Sequence, residues 1–279
     1  MRLRTCAALL ALALHSVSHA QAVCGPYTVA LYELGVLFYR DAQGQGQGID
    51  RELTEALSER SGCQLETIVE SRVRIWDQLA RGQLDISVSG IATPEREQFA
   101  EFMPYLRTRN QALIARSLVR QLPSMQAFKA DASKRVVVVK GFRYGRQFDA
   151  WLDELRAQQR VVEATSFDAA MRMLRAGRAE LILTEPINLR PELGPWLKEM
   201  VLLDWAPSDD VIANLIVSRS RVSDADRQRL RQALASLVHD GSVDRIVRRH
   251  VGDAMAETMR LERGSDNRPH ASQPRQPGP

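Results

Sequence analysis

The sequence predicts an α/β fold built on parallel sheets, and three observations carry that expectation. Short apolar, β-branched runs alternate with helix-length segments of 3.6-residue apolar periodicity along most of the chain. Val136–Val139 is a continuous β-branched run, the composition of a strand buried on both faces of a parallel sheet. Predicted strands ending at Val88, Val139 and Leu183 each run into a distinctive loop, and in such sheets ligands sit at the carboxyl ends of strands, so these three loops are expected to converge on one cleft.

In order along the chain, Tyr27–Leu31 reads as a strand, and Tyr32-Glu33-Leu34-Gly35 after it as a first ligand-facing loop. Gly44-Gln45-Gly46-Gln47-Gly48 imitates a phosphate-binding loop, but its spacing is not the dinucleotide fingerprint and no strong strand enters it, so a flexible turn is expected. Ile49, Leu53, Ala56 and Leu57 share one helical face, with Asp50 near the amino end and Gly62 past the carboxyl end. Strand Leu65–Val69 precedes a helix carrying Ile75, Trp76 and Leu79 that stops at Gly82. Gln111–Ala115 is the expected first crossing to a second lobe. After Val139, Lys140-Gly141-Phe142-Arg143-Tyr144-Gly145 leads to a helix with Phe148, Trp151, Leu152 and Leu155. Ser166 caps a helix whose Phe167, Ala170, Met171 and Leu174 form one stripe, closed by Gly177. Strand Leu181–Leu183 ends at Thr184-Glu185-Pro186; after Val201–Leu203, residues Asp204 to Ser208 are the expected return crossing, and Ile212–Val217 re-enters the first lobe. Ser223 and Asp226 resemble a capping box for a helix burying Leu230, Leu234, Leu237 and Val238, and a last helix carries Val243, Ile246, Val247 and Val251.

Composition bounds the function. The chain has 279 residues, 44% hydrophobic and 26% charged, which suits one or two globular lobes with real cores. Arg2 and Arg4, an apolar run from Ala7 to Leu14, and Ser18-His19-Ala20 form a signal peptide with a small-x-small cleavage site, so an exported, periplasmic protein is expected. Gln21-Ala22-Val23 before Cys24 does not fit a lipoprotein processing site. Cys24 and Cys63, left after the signal carries Cys6 away, can pair in an oxidising compartment, the alternative being two free thiols. The net charge of +4, lowered further when Arg2 and Arg4 leave, is too small to argue for nucleic acid or membrane partners. His239 and His250 have no Cys or carboxylate at metal-ligand spacing, and Val88-Ser89-Gly90 lacks the leading glycine of a nucleophile elbow, so neither a metal site, a cofactor nor a hydrolase is indicated.

The most informative stretch is Gly82 to Tyr105. It reads as a strand Leu84–Val88, a small-residue turn of Ser89, Gly90, Ala92 and Thr93, a helix start at Pro94-Glu95, and then Arg96. A turn offering backbone N–H groups, followed within one helical turn by a guanidinium, is a cradle for a carboxylate or phosphate.

Gly82-x-x-Asp85, the small-residue turn, Thr93-Pro94-Glu95-Arg96, and Phe102-x-Pro104-Tyr105 resemble the signature of the periplasmic amino-acid-binding proteins, family 3 of the bacterial extracellular solute-binding proteins. The resemblance runs from about Tyr27 to Val251, with Gly48-Ile49-Asp50-x-x-Leu53, Gly141 and Gly177 to Glu185 as further strong points. It implies a type II periplasmic-binding fold: two α/β lobes, each a mostly parallel sheet flanked by helices, joined by two crossing strands. On that basis residues 1–20 are the signal, 21–111 and 205–252 the first lobe, 112–204 the second, and 253–279 a disordered tail, polar and proline-rich from Gly264.

The resemblance also implies a ligand set. Arg96 would grip a ligand carboxylate with N–H groups near Gly90 and Ala92, the carbonyl of Ser89 or Gly90 would help hold an ammonium, and Glu185 would pair with that ammonium. Tyr32, Leu34 and Phe142 lie in the loops facing the ligand. Two departures stand out: the turn is one residue shorter than usual, placing Ala92 where a hydroxyl is common, and Glu185 replaces the usual Asp. Arg72 falls where the family puts an aromatic ring, and Arg143 where small residues are common; both facing the cleft would favour an anionic ligand. The implied function is capture of an amino acid or similar carboxylate, by a monomer, for delivery to an ABC-type permease. The alternatives are a dehydratase-like enzyme with Glu185 as general acid, and a soluble ligand sensor.

Overall fold

In the computed structural model, which describes residues 23–189 and 194–261, the alternation of strands and helices resolves into two five-stranded sheets. The expected signal and most of the expected tail lie outside the described residues. The strands are β1 (Tyr27–Leu31), β2 (Tyr39–Arg40), β3 (Gly46–Gln47), β4 (Leu65–Val69), β5 (Ile86–Gly90), β6 (Ala100–Arg109), β7 (Gln111–Ala115), β8 (Val136–Val139), β9 (Val161–Ala164), β10 (Leu181–Thr184), β11 (Met200–Leu203) and β12 (Asp210–Ser218). The helices are α1 (Ile49–Ser61), α2 (Arg72–Ala80), α3 (Pro94–Glu97), α4 (Met125–Ala130), α5 (Arg146–Ala157), α6 (Phe167–Arg175), α7 (Asp224–His239) and α8 (Ser242–Met259).

The first sheet has order β4-β1-β5-β12-β6 and the second β11-β7-β10-β8-β9. In each, one half is parallel and the other, made by the crossing strands and their partners, is antiparallel, so the sheets are mixed where mostly parallel ones were expected. The reason is connectivity: a chain that leaves a sheet along one strand and returns along its neighbour must run opposite to it. The two crossings are such neighbours, with Arg109 opposite Asp210 at the end of the β6–β12 ladder. Arg109 bonds Asp204 and Asp210 at 2.9 and 2.7 Å, and the buried Asp209 carboxylate accepts from the N–H groups of Arg146 and Gln147, capping α5 from the return crossing.

Sequence signals act locally as physics requires. Ser71, Thr93, Ser124, Ser166 and Ser223 each accept a hydrogen bond from the N–H three residues on, satisfying a helix donor that has no intrahelical partner. Val136–Val139 is fully buried between β10 and β9, and Phe148, Trp151, Leu152 and Leu155 of α5 pack with Val136 and Val138. Two local expectations change. The glycine-rich turn is a hairpin, β2–β3, tightened by Asp41 accepting from the N–H groups of Gln43 and Gln45. The tail does not begin at residue 253: α8 breaks at Gly252, whose φ of 75° is open to glycine, and resumes to Met259, burying Ala256 and Met259.

Cys24 and Cys63 form a disulfide with Cα atoms 4.5 Å apart, tying the approach to β1 to the approach to β4. Closing a loop of 39 residues removes denatured-state freedom; the chain-entropy estimate is about 4 kcal/mol. The Cys24→Ser, Cys63→Ser double variant is expected to lose about 2–4 kcal/mol of stability and so to unfold at lower urea concentration, as measured by equilibrium denaturation of oxidised wild type and variant.

Candidate ligand-binding cleft

The site is built outward from Ser89 at the end of β5. Its backbone takes φ 52°, a left-handed conformation that costs an L-residue roughly 1–2 kcal/mol. Hydrogen bonds hold it there. Ser89 Oγ lies 2.8 Å from both oxygens of Asp50, Tyr105 donates its hydroxyl to Asp50 Oδ1 at 2.8 Å, and the Ser89 N–H donates to the Tyr105 oxygen at 2.9 Å. Gly90 follows so close to β12 that a Cβ would stand 2.2 Å from Ile216 Cδ1, and its carbonyl accepts from Asn214 at 3.0 Å. The register shift in the β5–β12 ladder between Asn214 and Ile216 falls at this turn.

Asp50 is fully buried, and burial pushes its carboxyl up to about 6 against the Tyr105 and Ser89 hydrogen bonds and the Arg72 charge. It holds the turn in place and is one of the residues whose part in the site sequence reasoning missed. An acid in the first helical turn reads as an exposed dipole partner, yet Asp50 lies three and seven residues before the buried Leu53 and Leu57, and that spacing was the available signal.

Arg72 enters from the start of α2 and is 6% exposed. Its guanidinium donates to Val88 O at 3.2 Å and Ser89 O at 2.8 Å, and its Cζ sits 3.5 Å above the Tyr32 ring. Tyr32 also donates to Ser89 O, at 3.4 Å, and burial pushes its phenol up to about 12. The Ser89 carbonyl, considered from the sequence as an ammonium acceptor, is therefore engaged by the protein's own cation.

Arg96 lies at the seam between the sheets. Nη1 donates to Ile91 O and Nη2 to Gly141 O, each at 2.9 Å, and Cζ stacks 3.7 Å from the Trp76 ring, which itself stacks on Phe102. Burial presses the Arg96 pKa down to about 9, and the charges of Arg72 and Arg143 press the same way. Arg143 stands exposed at the rim, its charge opposing the rise that burial gives the Asp149 carboxyl and adding to the hydrogen bonds that lower Glu95.

Opposite, Glu185 follows β10 with part of its surface covered. Burial pushes its carboxyl up to about 7, Asp50 adds to the rise, and the Thr108 hydroxyl and Arg72 oppose it. Gly35 meets Asn188 across the cleft, where a Cβ on Gly35 would stand 2.3 Å from the Asn188 Cα. Among the described residues, Trp76 Nε1 and Asn188 Oδ1 are buried without a hydrogen-bond partner.

These groups line a cavity of about 40 Å³, room for a few water molecules. The loops after β5, β8 and β10 meet there. Tyr32, Leu34, Arg72, Ser89, Gly90, Arg96, Phe142, Arg143 and Glu185 all contribute lining, whereas Ala92 is exposed and does not. Trp76, Thr108, Asn110 and Asn188 line it too and carried no motif. His250 pairs with Glu52 on the far helices, and no group of metal ligands occurs among the described residues.

Two sheets linked by paired crossing strands, with charged loops meeting between them, define a two-lobed binding fold. Residues 36–253 match the model of the bacterial extracellular solute-binding proteins, family 3, and the chain belongs to that family. Among solved structures it is similar to a mutant of the arginine-binding protein ArgBP from T. maritima, at 16% identity and TM-score 0.67 over 81% of this chain and 95% of that one. It is similar also to an ABC uptake transporter substrate-binding protein from Streptococcus pneumoniae with bound histidine, at 15% identity and TM-score 0.67 over 81% and 92%. A third is the ancestral amino acid-binding protein AncCDT-1, a precursor of cyclohexadienyl dehydratase, at 19% identity and TM-score 0.64 over 80% and 94%. No curated protein matches significantly.

The buried Asp50 and the partly covered Glu185 set a pH dependence. Their carboxyls rise from ordinary values of 3.8 and 4.5 to about 6 and about 7, so the folded chain holds protons that the unfolded chain releases. Stability contributed by these groups is present below about pH 4 and is lost as pH rises through about 7. The Tm of the free protein is expected to fall between about pH 5 and about pH 8, and the fall to shrink in the Asp50→Asn, Glu185→Gln double variant; a flat wild-type profile would contradict this assignment.

Proposed function

We propose that this protein is exported to the periplasm, captures a small carboxylate-bearing solute, an amino acid or a similar anion, between its lobes, and presents it as a monomer to an ABC-type importer. The observation that carries the reading is Arg96, a guanidinium of the first lobe bonded to a carbonyl of the second at the floor of a cleft walled by Arg72 and Glu185. A carboxylate is a stronger acceptor than either carbonyl now engaged, so it takes over the guanidinium as the lobes close around it. The 40 Å³ cavity requires the lobes to part for entry, and the ligand then favours the closed state through contacts it makes only there. The solved relatives with bound arginine, glutamine and histidine support a small amino-acid-like solute.

A second reading is favoured by one observation. A carboxyl pushed to about 7, as in Glu185, has the pKa of a general acid, which suits a dehydratase acting on a hydroxylated carboxylate. Recovery of bound hydroxycarboxylates unchanged after long incubation decides for capture; their conversion, lost in Glu185→Gln, decides for the enzyme.

Arg96→Ala is expected to weaken ligand binding by roughly 2–5 kcal/mol, the cost of losing one partner of a desolvated charge pair. Titration calorimetry of wild type and variant measures it, and equal affinities would remove Arg96 from the site.

A further inference from the structure

We infer that the ligand is a small carboxylate anion without an ammonium group, because the cation position in the cleft is filled by Arg72 of the protein itself. This rests on the solute-binding reading above and narrows its substrate class. A buried cation site needs desolvated carbonyl oxygens and an aromatic face. Val88 O, Ser89 O and the Tyr32 ring supply them, and the Arg72 guanidinium occupies all three at 3.2, 2.8 and 3.5 Å. At 6% exposure, with Trp76 on its other side at 5.5 Å, this side chain is part of the wall. An incoming ammonium would have to displace a bonded guanidinium and strand it beside Arg96.

The charge balance points the same way. Arg72, Arg96 and Arg143 line the cavity, where Glu185 is the one acid among the described lining residues; Asp50 lies beneath them, and Asp149 and Glu95 act on Arg96 and Arg143 from outside the lining. Asp50 is sealed beneath Ser89 and Tyr105 and its oxygens are taken. Glu185 alone of the lining acids remains to meet a ligand, and burial raises its carboxyl to about 7, which favours the neutral form that can donate to a carboxylate oxygen. An anion therefore brings the negative charge that the arginines lack, and the unpartnered Trp76 Nε1 is a further donor on a lining residue.

The test is titration calorimetry of the wild-type protein, unfolded and refolded to remove carried-over solute, with acids matched except for the amino group: succinate and aspartate, glutarate and glutamate, lactate and alanine. The member without the amino group is expected to bind at least about tenfold tighter in the pair that fits, a difference of about 1.4 kcal/mol. Equal or tighter binding of the amino acid overturns this inference and leaves the solute-binding reading intact. No binding in any pair by a protein that melts cooperatively retires both. Arg72→Met, which frees the carbonyls and the Tyr32 face, is expected to move the ratio toward the amino acid, and an unchanged ratio in a folded variant removes Arg72 from the role; should that variant not fold, the wild-type ratios still decide.

Discussion

The left-handed turn at Ser89 is the constraint from which the rest of the cleft follows. Each of its polar atoms is spoken for: the hydroxyl by Asp50, the N–H by Tyr105, the carbonyl by Arg72 and Tyr32. Partners thus converge from α1, β6, α2 and the loop after β1, so elements distant in the chain agree on one residue's backbone. A network so fully satisfied within a low-dielectric interior rigidifies its surroundings. Strain at a single residue is tolerable because the surrounding bonds over-determine it.

Much of the fold is legible in the sequence because it is encoded locally. Val136–Val139 has no reading but a buried strand, and Ser166 and Ser223 cap helices by chemistry confined to three or four residues. Strand order and the antiparallel halves of the sheets are not local, and no periodicity reports them. The cleft divides similarly. Arg96 and Glu185 reach it because they follow strand ends, and strand ends can be counted along a sequence.

What the sequence hid are residues whose role depends on who stands opposite. Asp50 looks like a helix-start acid until Ser89 and Tyr105 are brought against it, and Trp76 looks like core until Arg96 lies flat on its ring. Ala92 shows the reverse: its place in the turn suggested a ligand contact, yet it is exposed and outside the lining while Arg96 four residues on lies within it. Family membership fixed where to look, and the geometry of individual side chains decided what was there.

The paired crossing strands have a consequence for timing. Two neighbouring strands zipped by hydrogen bonds, with Arg109 clamped to Asp204 and Asp210, bend across their faces far more readily than they slide along their length. If the lobes part as proposed, these paired strands are their shared hinge, and each lobe would carry its half of the cleft with it. Arg72, Ser89, Tyr32 and Trp76 travel together on one side. Under the proposed function, the filter they form would be complete on one lobe before closure, so an unsuitable solute would be turned away at first encounter.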